Sequence, residues 1–538
     1  MRKLVECVPN FSEGRNKEII DTIAESIRKT EGCSLLDVDP GKSTNRTVYT
    51  FVGSPEAVVE GALAAARAGS KLIDMRHQTG EHPRIGAMDV CPFVPVANVT
   101  MDECVELANI FGSRLAEELN VPVYLYENAA RSDYRKTLPQ IREGEYEALP
   151  NRITQNDWKP DYGPAKFVPE WGATAVGARF FLIAYNVNIL GTKEQAHRIA
   201  LDLREAGRGN GHPGLLKEVK GIGWFVEEYN LAQMSFNLTN YLESAPHEVF
   251  EESKRIAQEM NLAVTGSELV GLIPLEAIMM AADYYIQKEN LFILSDGQKI
   301  KLVIDRMGLN AISQFDPQKR IIEYLIEEEK SEPLADMSVR DFIASVAART
   351  SAPGGGSVSA LLAALGAGLG TMVAQLTFGV RKFEEYDGQL RRIIPPLYHA
   401  VQKLIPMIDA DTNAFNDYME AMRLPNSSNE EKQIRSNAMQ EGLKKAIEVP
   451  LGTMRIGNSV WESMTGVAQI GNIASKSDVE VGARALETGI WGAYKNVMIN
   501  MSGIEDEPYK KIIIDEAESM VENASSKCAE VLNILNSR

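Results

Sequence analysis

A charged, proline-containing segment, EEEKSEPLADMS from Glu327 to Ser338, parts the chain into two stretches whose apolar residues recur with different periods. Upstream, alternation in LVECVPNF, CSLLDVD, RTVYTFVG and LAQMSFNLT is interleaved with helical spacing from Lys17 to Lys29, from Pro55 to Ala68 and through TKEQAHRIALDLREA. A period of two marks strands with one buried face and a period of 3.6 marks amphipathic helices, so this half needs sheets covered by helices. The apolar run ARFFLIAYNVNIL restarts the pattern and reads as a central strand, with NLAVTGSELVGLIP as another. Downstream the helical period continues almost unbroken, with breaks at APGGGS, RLPNSSNEE and GIEDEPYK. A chain of 538 residues exceeds what one core serves. The expected architecture is multidomain: two α/β (α+β) subdomains over 1–180 and 181–326, a linker over 327–338, and an all-α helical bundle over 339–538.

Charge and cysteine content narrow the function. A formal net charge of −18 disfavours non-specific binding to nucleic acid or to an anionic membrane, both of which need a cationic surface. An anionic substrate would need a local basic pocket. The five cysteines, Cys7, Cys33, Cys91, Cys104 and Cys528, have no CxxC spacing and read as reduced thiols. The start, MRKLVECVPNFSEGR, meets an acid and a proline before any apolar run of signal-peptide length, so cytoplasmic residence is expected. Thr350 to Val380 carries no charge and is long enough to span a bilayer. Its Gly, Ala, Ser and Thr content, its Gln375 and the lack of an aromatic belt favour a tightly packed buried helix. Gly366 and Gly370, four apart, permit close helix contact there or a subunit seam.

Histidine is scarce, with six in the chain, and two lie close together in RHQTGEHPRIGAMDV. His77 and His82 lack both the helical spacing of a zinc pair and a nearby third ligand, so no metal is expected. The loop Gly80 to Gly86 is bounded by glycines and stiffened by Pro83, and it presents His82 between Glu81 and Arg84. An imidazole there could take a proton from an attacking amine and return it to a leaving one; a hydrogen-bonded structural histidine would read the same way. A second loop holds Gly163, Pro164, Ala165, Lys166, Phe167, Val168, Pro169, Glu170, Trp171 and Gly172. Its flat Phe167 and Trp171 and its cationic Lys166 suit a planar heteroaromatic ligand with a carboxylate tail, or else the loop packs on its own aromatics.

In the second half IDADTNAF supplies Asp409 and Asp411. On one continuous helix, Val401, Leu404, Ile405, Ile408, Thr412 and Phe415 form an apolar stripe; Asp411 falls about 70° from its centre and Asp409 about 90° on the other flank. Asp411 is the better placed for partial desolvation, which raises a carboxyl pKa, though either could be a solvated helix residue. SAPGGGS, from Ser351 to Ser357, could cradle an anion at the start of the next helix or serve as a plain turn.

The blocks VPNFSEGR, STNRTVYTFVG, GEHPRIGAMDVCPFVPV, GPAKFVPEWG, GTKEQAHRIALDLREAGRG and KGIGWF together resemble the glutamate formiminotransferase family, in order and spacing. Beyond the linker, SAPGGGSVSA and IDADTNAF resemble formiminotetrahydrofolate cyclodeaminase, so the whole length is similar to the bifunctional family that joins the two. The resemblance implies transfer of the formimino group of N-formimino-L-glutamate to N5 of tetrahydrofolate, with His82 as catalytic residue and Gly163 to Gly172 as folate-binding loop. It then implies cyclodeamination to 5,10-methenyl-tetrahydrofolate and ammonia, with Asp411 as the acid-base group and Asp409 as a supporting candidate. Arg84 and Lys166 are the candidate cations for substrate carboxylates. Polyglutamylated tetrahydrofolate as co-substrate and a ring-shaped homo-oligomer are further implications. A helical half that is a cyclohydrolase, or only an assembly scaffold, is the alternative.

Overall fold

The computed structural model describes residues 3–42, 44–80, 82–209, 211–326 and 332–538. Two compact units divide it, Met1–Glu328 and Glu329–Arg538. Of the expected linker, residues 327–331 lie outside the described residues.

The first unit holds two sheets. The seven-stranded one comprises β1 (Leu4–Cys7), β2 (Asn10–Phe11), β3 (Cys33–Gly41), β4 (Arg46–Gly53), β5 (Met88–Ala97), β6 (Val123–Glu127) and β7 (Thr174–Ala178). β1 and β2 share one slot between β4 and β5, both antiparallel, and are separated at Val8 and Pro9 because proline has no N–H to give the ladder. β5, β7 and β6 then run parallel, so the sheet is mixed. The helices Lys17–Arg28, Pro55–Leu72 and Met101–Leu119 form where the pattern requires them. Asn16, Ser54 and Thr100 cap their N-termini, and Ile20, Ile23, Ala24 and Ile27 make the buried stripe of the first. All three pack on one sheet face around Phe11, Phe51, Phe93 and Phe111.

The four-stranded sheet is antiparallel, in the order β11 (Ala263–Val270), β8 (Ile183–Leu190), β10 (Leu231–Leu238), β9 (Val219–Val226). The run ARFFLIAYNVNIL is not one strand: β7 ends at Ala178, Arg179 to Leu182 connect, and β8 begins at Ile183. Alternate residues Ile183, Tyr185, Val187 and Ile189 face helices Lys193–Leu203, Pro246–Glu259, Leu275–Lys288 and Asp296–Met307 in one core.

The second unit is helical, with no strand among its described residues. Its centre is Gly355–Thr377, long and apolar enough to cross a membrane but mostly buried against its neighbours. It packs on Lys476–Met501 through small residues: a Cβ on Gly366 would stand 2.7 Å from the Gly482 carbonyl oxygen, and one on Gly489 would stand 2.7 Å from that of Ser359. Gly370 faces Met464. Gly366 and Gly370 therefore make close helix contacts within the chain.

Candidate active sites

His82 lies on the loop between the Met75–His77 turn and β5, and its neighbour Glu81 lies outside the described residues. Its Nδ1 is 2.7 Å from the carbonyl oxygen of Pro83, which only accepts, so Nδ1 carries the proton. Its Nε2 meets Nη1 of Arg46, which only donates, so Nε2 offers a lone pair. Both contacts select one neutral tautomer. Burial, and then the positive charge of Arg46, push the imidazole pKa below its usual 6.5. The ring is thus held as a base.

Hydrogen bonds hold the flanks of the loop. Asp89, buried at the start of β5, accepts from the Ile85 amide at 2.8 Å and pairs with Arg142. Glu13 accepts from the amides of Arg15 and Asn16 at 2.8 and 2.9 Å, and Asn45 donates to the carbonyl of Thr79 at 3.0 Å. Arg84 is not a free cation: its guanidinium is held by Glu145 at 2.9 Å and Glu147 at 2.7 Å. Among the described residues Lys166 is exposed and forms no ion pair.

The Gly163–Gly172 loop is joined directly to the His82 loop. Gly86 and Gly172 form a bridge, with the Ala87 amide donating to the Trp171 carbonyl at 2.8 Å and the Ala173 amide to the Ile85 carbonyl at 2.9 Å. Gly172 has φ +79°, and a Cβ there would stand 2.1 Å from the Ile85 carbonyl oxygen, so glycine is required for the approach. Trp171 does not offer a face to solvent: its indole is 3% exposed and donates to Thr174 at 2.9 Å, because the ring completes the core under the sheet. Phe167 remains half-buried against Tyr146, with ring centroids 5.4 Å apart, and the Tyr146 hydroxyl donates to the Pro169 carbonyl at 2.7 Å. The flat surface at this loop is therefore Phe167 together with Tyr146 of the helix Glu145–Arg152.

In the second unit, the continuous helix that ranked the two aspartates is broken. One helix ends at Leu404 and the next runs Met407–Met422, since Pro406 cannot donate within a helix. Asp409 is 5% exposed, and its two oxygens accept from the amides of Leu334 and Ala335 at 2.8 and 3.0 Å. It anchors the incoming chain. Asp411 instead faces the SAPGGGS turn, where Gly354 caps the Gly355–Thr377 helix. The anion at that helix start is the protein's own Asp411 carboxylate, with Ser357 Oγ 3.5 Å from Oδ2. Ser357 also donates to the Ile408 carbonyl at 2.7 Å and lies 3.2 Å from the Thr412 hydroxyl. Burial raises the Asp411 pKa above 3.8, only partly opposed by the Ser357 contacts. Sequence reasoning did not single out Arg46 or Tyr146, and held Ser357 only as the end of the SAPGGGS segment. Among the described residues no cluster of three or more His, Cys, Asp or Glu could hold a metal ion.

A half-buried imidazole on an α/β unit and a desolvated carboxyl in a helical unit give the chain two candidate acid-base sites. Residues 4–179 match the formiminotransferase domain, N-terminal subdomain; 184–327 match the formiminotransferase domain; 338–519 match formiminotransferase-cyclodeaminase. The formimidoyltransferase-cyclodeaminase of Dictyostelium discoideum is 58% identical over 540 residues, covering all of both chains. The glutamate formimidoyltransferase of Streptococcus pyogenes is 41% identical over 54% of this chain and 95% of its own. The methenyltetrahydrofolate cyclohydrolase of Methylorubrum extorquens is 30% identical over 37% of this chain and 97% of its own. The chain belongs to the formimidoyltransferase-cyclodeaminase family.

Proposed function

We propose that this chain transfers the formimino group of N-formimino-L-glutamate to N5 of tetrahydrofolate, then cyclodeaminates the 5-formimino-tetrahydrofolate to 5,10-methenyl-tetrahydrofolate and ammonia. In the first reaction the N5–carbon bond forms as N5 gives its proton to Nε2 of His82. The bond from carbon to the glutamate nitrogen then breaks, and His82 returns the proton to that nitrogen. The observation that carries this reading is the bridge between Gly86 and Gly172, which fixes the imidazole loop on the loop assigned to folate. In the second reaction the formimino group starts as its amidinium, and N10 attacks the same carbon. Asp411 passes the N10 proton to the formimino nitrogen, and the bond from carbon to that nitrogen breaks to release ammonia and leave the methenyl cation. The desolvated Asp411 carboxyl suits both roles. Residues 1–180 and 181–326 carry the transferase and 339–538 the cyclodeaminase.

The test is direct. His82→Ala should lower glutamate release by about 10²- to 10⁴-fold while cyclodeamination of supplied 5-formimino-tetrahydrofolate persists; equal loss of both, or of neither, overturns the assignment. The cyclohydrolase relative favours a second reading, in which the helical unit hydrolyses methenyl-tetrahydrofolate. Feeding 5,10-methenyl-tetrahydrofolate without ammonia separates the two, since only a cyclohydrolase speeds its loss above the uncatalysed hydrolysis. The reading extends to a cytoplasmic enzyme, supported by five free cysteines, to polyglutamylated folate, and to a ring-shaped homo-oligomer, tested by light scattering.

A further inference from the structure

Arg46 stands at the first position of β4, half-buried, with Nη1 donating to Nε2 of His82. Near this loop Arg84 has Glu145 and Glu147, Arg135 has Asp161, and Arg142 has Asp89, while the similarly shielded Arg152 and Arg179 donate to backbone carbonyls. Arg46 forms no ion pair among the described residues; its Nε is buried with no partner, as are those of Arg84, Arg135 and Arg142, but its Nη1 meets an imidazole where their terminal nitrogens meet carboxylates. A half-buried guanidinium that feels Asp89 and Asp39 without pairing to either is poorly compensated, and a planar fork with an unpaired Nε matches a carboxylate. The contact it does make has a cost for catalysis, because the Nε2 lone pair it occupies is the one the base needs.

We infer that Arg46 binds the α-carboxylate of the formimino donor and, in turning to it, uncovers Nε2 of His82. This rests on the reading of His82 as the transferase base. The chemistry of the donor chooses the carboxylate. The α-carboxylate is attached to the carbon that bears the nitrogen leaving the formimino group. When His82 reaches that nitrogen, the α-carboxylate lies beside the imidazole, where Arg46 is. The side-chain carboxylate is two methylene groups further away, and the glutamate tail of the folate is separated from N5 by the aminobenzoyl group. The base is thereby masked until the donor is seated, and released by the group that identifies it as an α-amino acid derivative.

The experiment uses the full chain and the variants Arg46→Ala and Arg46→Lys. KM is measured separately for N-formimino-L-glutamate and for tetrahydrofolate. The expected result for Arg46→Ala is a KM for the donor raised about tenfold or more, the scale of a lost charge-assisted bond, with KM for tetrahydrofolate within about twofold. Arg46→Lys, which keeps charge without the fork, should fall between. Two donor analogues sharpen the assignment. One lacking the α-carboxylate should be poor for the parent and no worse for Arg46→Ala; one lacking the side-chain carboxylate should be penalised by the substitution as the full donor is. If Arg46→Ala lowers only turnover, or raises both KM values together, or penalises both analogues alike, the proposal is overturned. Cyclodeamination of supplied 5-formimino-tetrahydrofolate reports folding of the helical unit alone, so thermal unfolding of the transferase unit is followed too. Should Arg46→Ala unfold that unit, Arg46→Lys carries the comparison. His82→Ala separates the two readings: if it keeps full transferase turnover, the base assignment fails while the KM effect of Arg46 can still be measured.

Discussion

The carboxylate of Asp411 is packed against Gly356 so closely that a Cβ built on that glycine would stand 2.0 Å from Oδ1. The contact joins the GGG turn to the IDADTNAF helix and keeps the carboxyl at a helix N-terminus, partly out of water. Gly356→Ala must therefore displace the carboxylate. The expected outcome is a loss of cyclodeaminase activity of about 10²-fold or more with transferase activity within about twofold, measured as ammonia and glutamate release.

Protonation of Asp411 gives a pH prediction. Burial raises its pKa above 3.8, so the neutral acid persists to higher pH than for an ordinary aspartate and is lost as pH rises through the raised value. The cyclodeaminase rate profile should show a limb above 3.8 that is absent from residual activity in Asp411→Asn.

His82 shifts in the opposite sense. Burial, Arg46 and Arg142 lower its pKa, while the Pro83 carbonyl and Asp89 oppose them. Transferase kcat/KM should hold as pH falls to 6.5 and decline only below it, as the base protonates. Arg46→Ala removes one of the cations, so the acid limb should move upward in a full pH-rate series.

Glu6 on β1 is buried, and its pKa is pushed up to about 7 by burial, against the pull of Arg179. With a folded value above the usual 4.5, its stabilising contribution is complete below about 4.5 and is lost as pH rises through about 7. Glu6→Gln removes that ionisation, so thermal unfolding should show a gain of up to about 3 kcal/mol at pH 8 relative to pH 5.

Asp409 predicts stability without chemistry. Its carboxylate holds the amides of Leu334 and Ala335, and hydrogen bonds to a charged group contribute about 1.5–3 kcal/mol. Asp409→Ala should lower the stability of the helical unit by about 2–4 kcal/mol in denaturant unfolding, the buried amides being left unpaired.

The two textures on either side of Glu327 were readable because hydrophobic period depends only on local side-chain direction. The helix starts at Asn16, Ser54 and Thr100 are local too, each set by a capping side chain. The break between Leu404 and Met407 has a visible signal in Pro406, which takes the aspartates off the single helical frame of Val401 to Phe415. Other features had no local signal. Arg46 reaches His82 across 36 residues, and Gly86 meets Gly172 across 86; only the sheet brings them together. The burial of Trp171 likewise depends on helices far along the chain, so its flat ring looked available for ligand when it belonged to the core.

On the proposed reading, one chain holds two chemically independent sites. His82→Ala and Asp411→Asn should each fail alone to convert N-formimino-L-glutamate and tetrahydrofolate into 5,10-methenyl-tetrahydrofolate. Mixed, they should restore its formation: the Asp411 variant supplies 5-formimino-tetrahydrofolate and the His82 variant closes it. Methenyl product from either variant alone at the parent rate, or none from the mixture while each keeps its own half-reaction, would contradict the account.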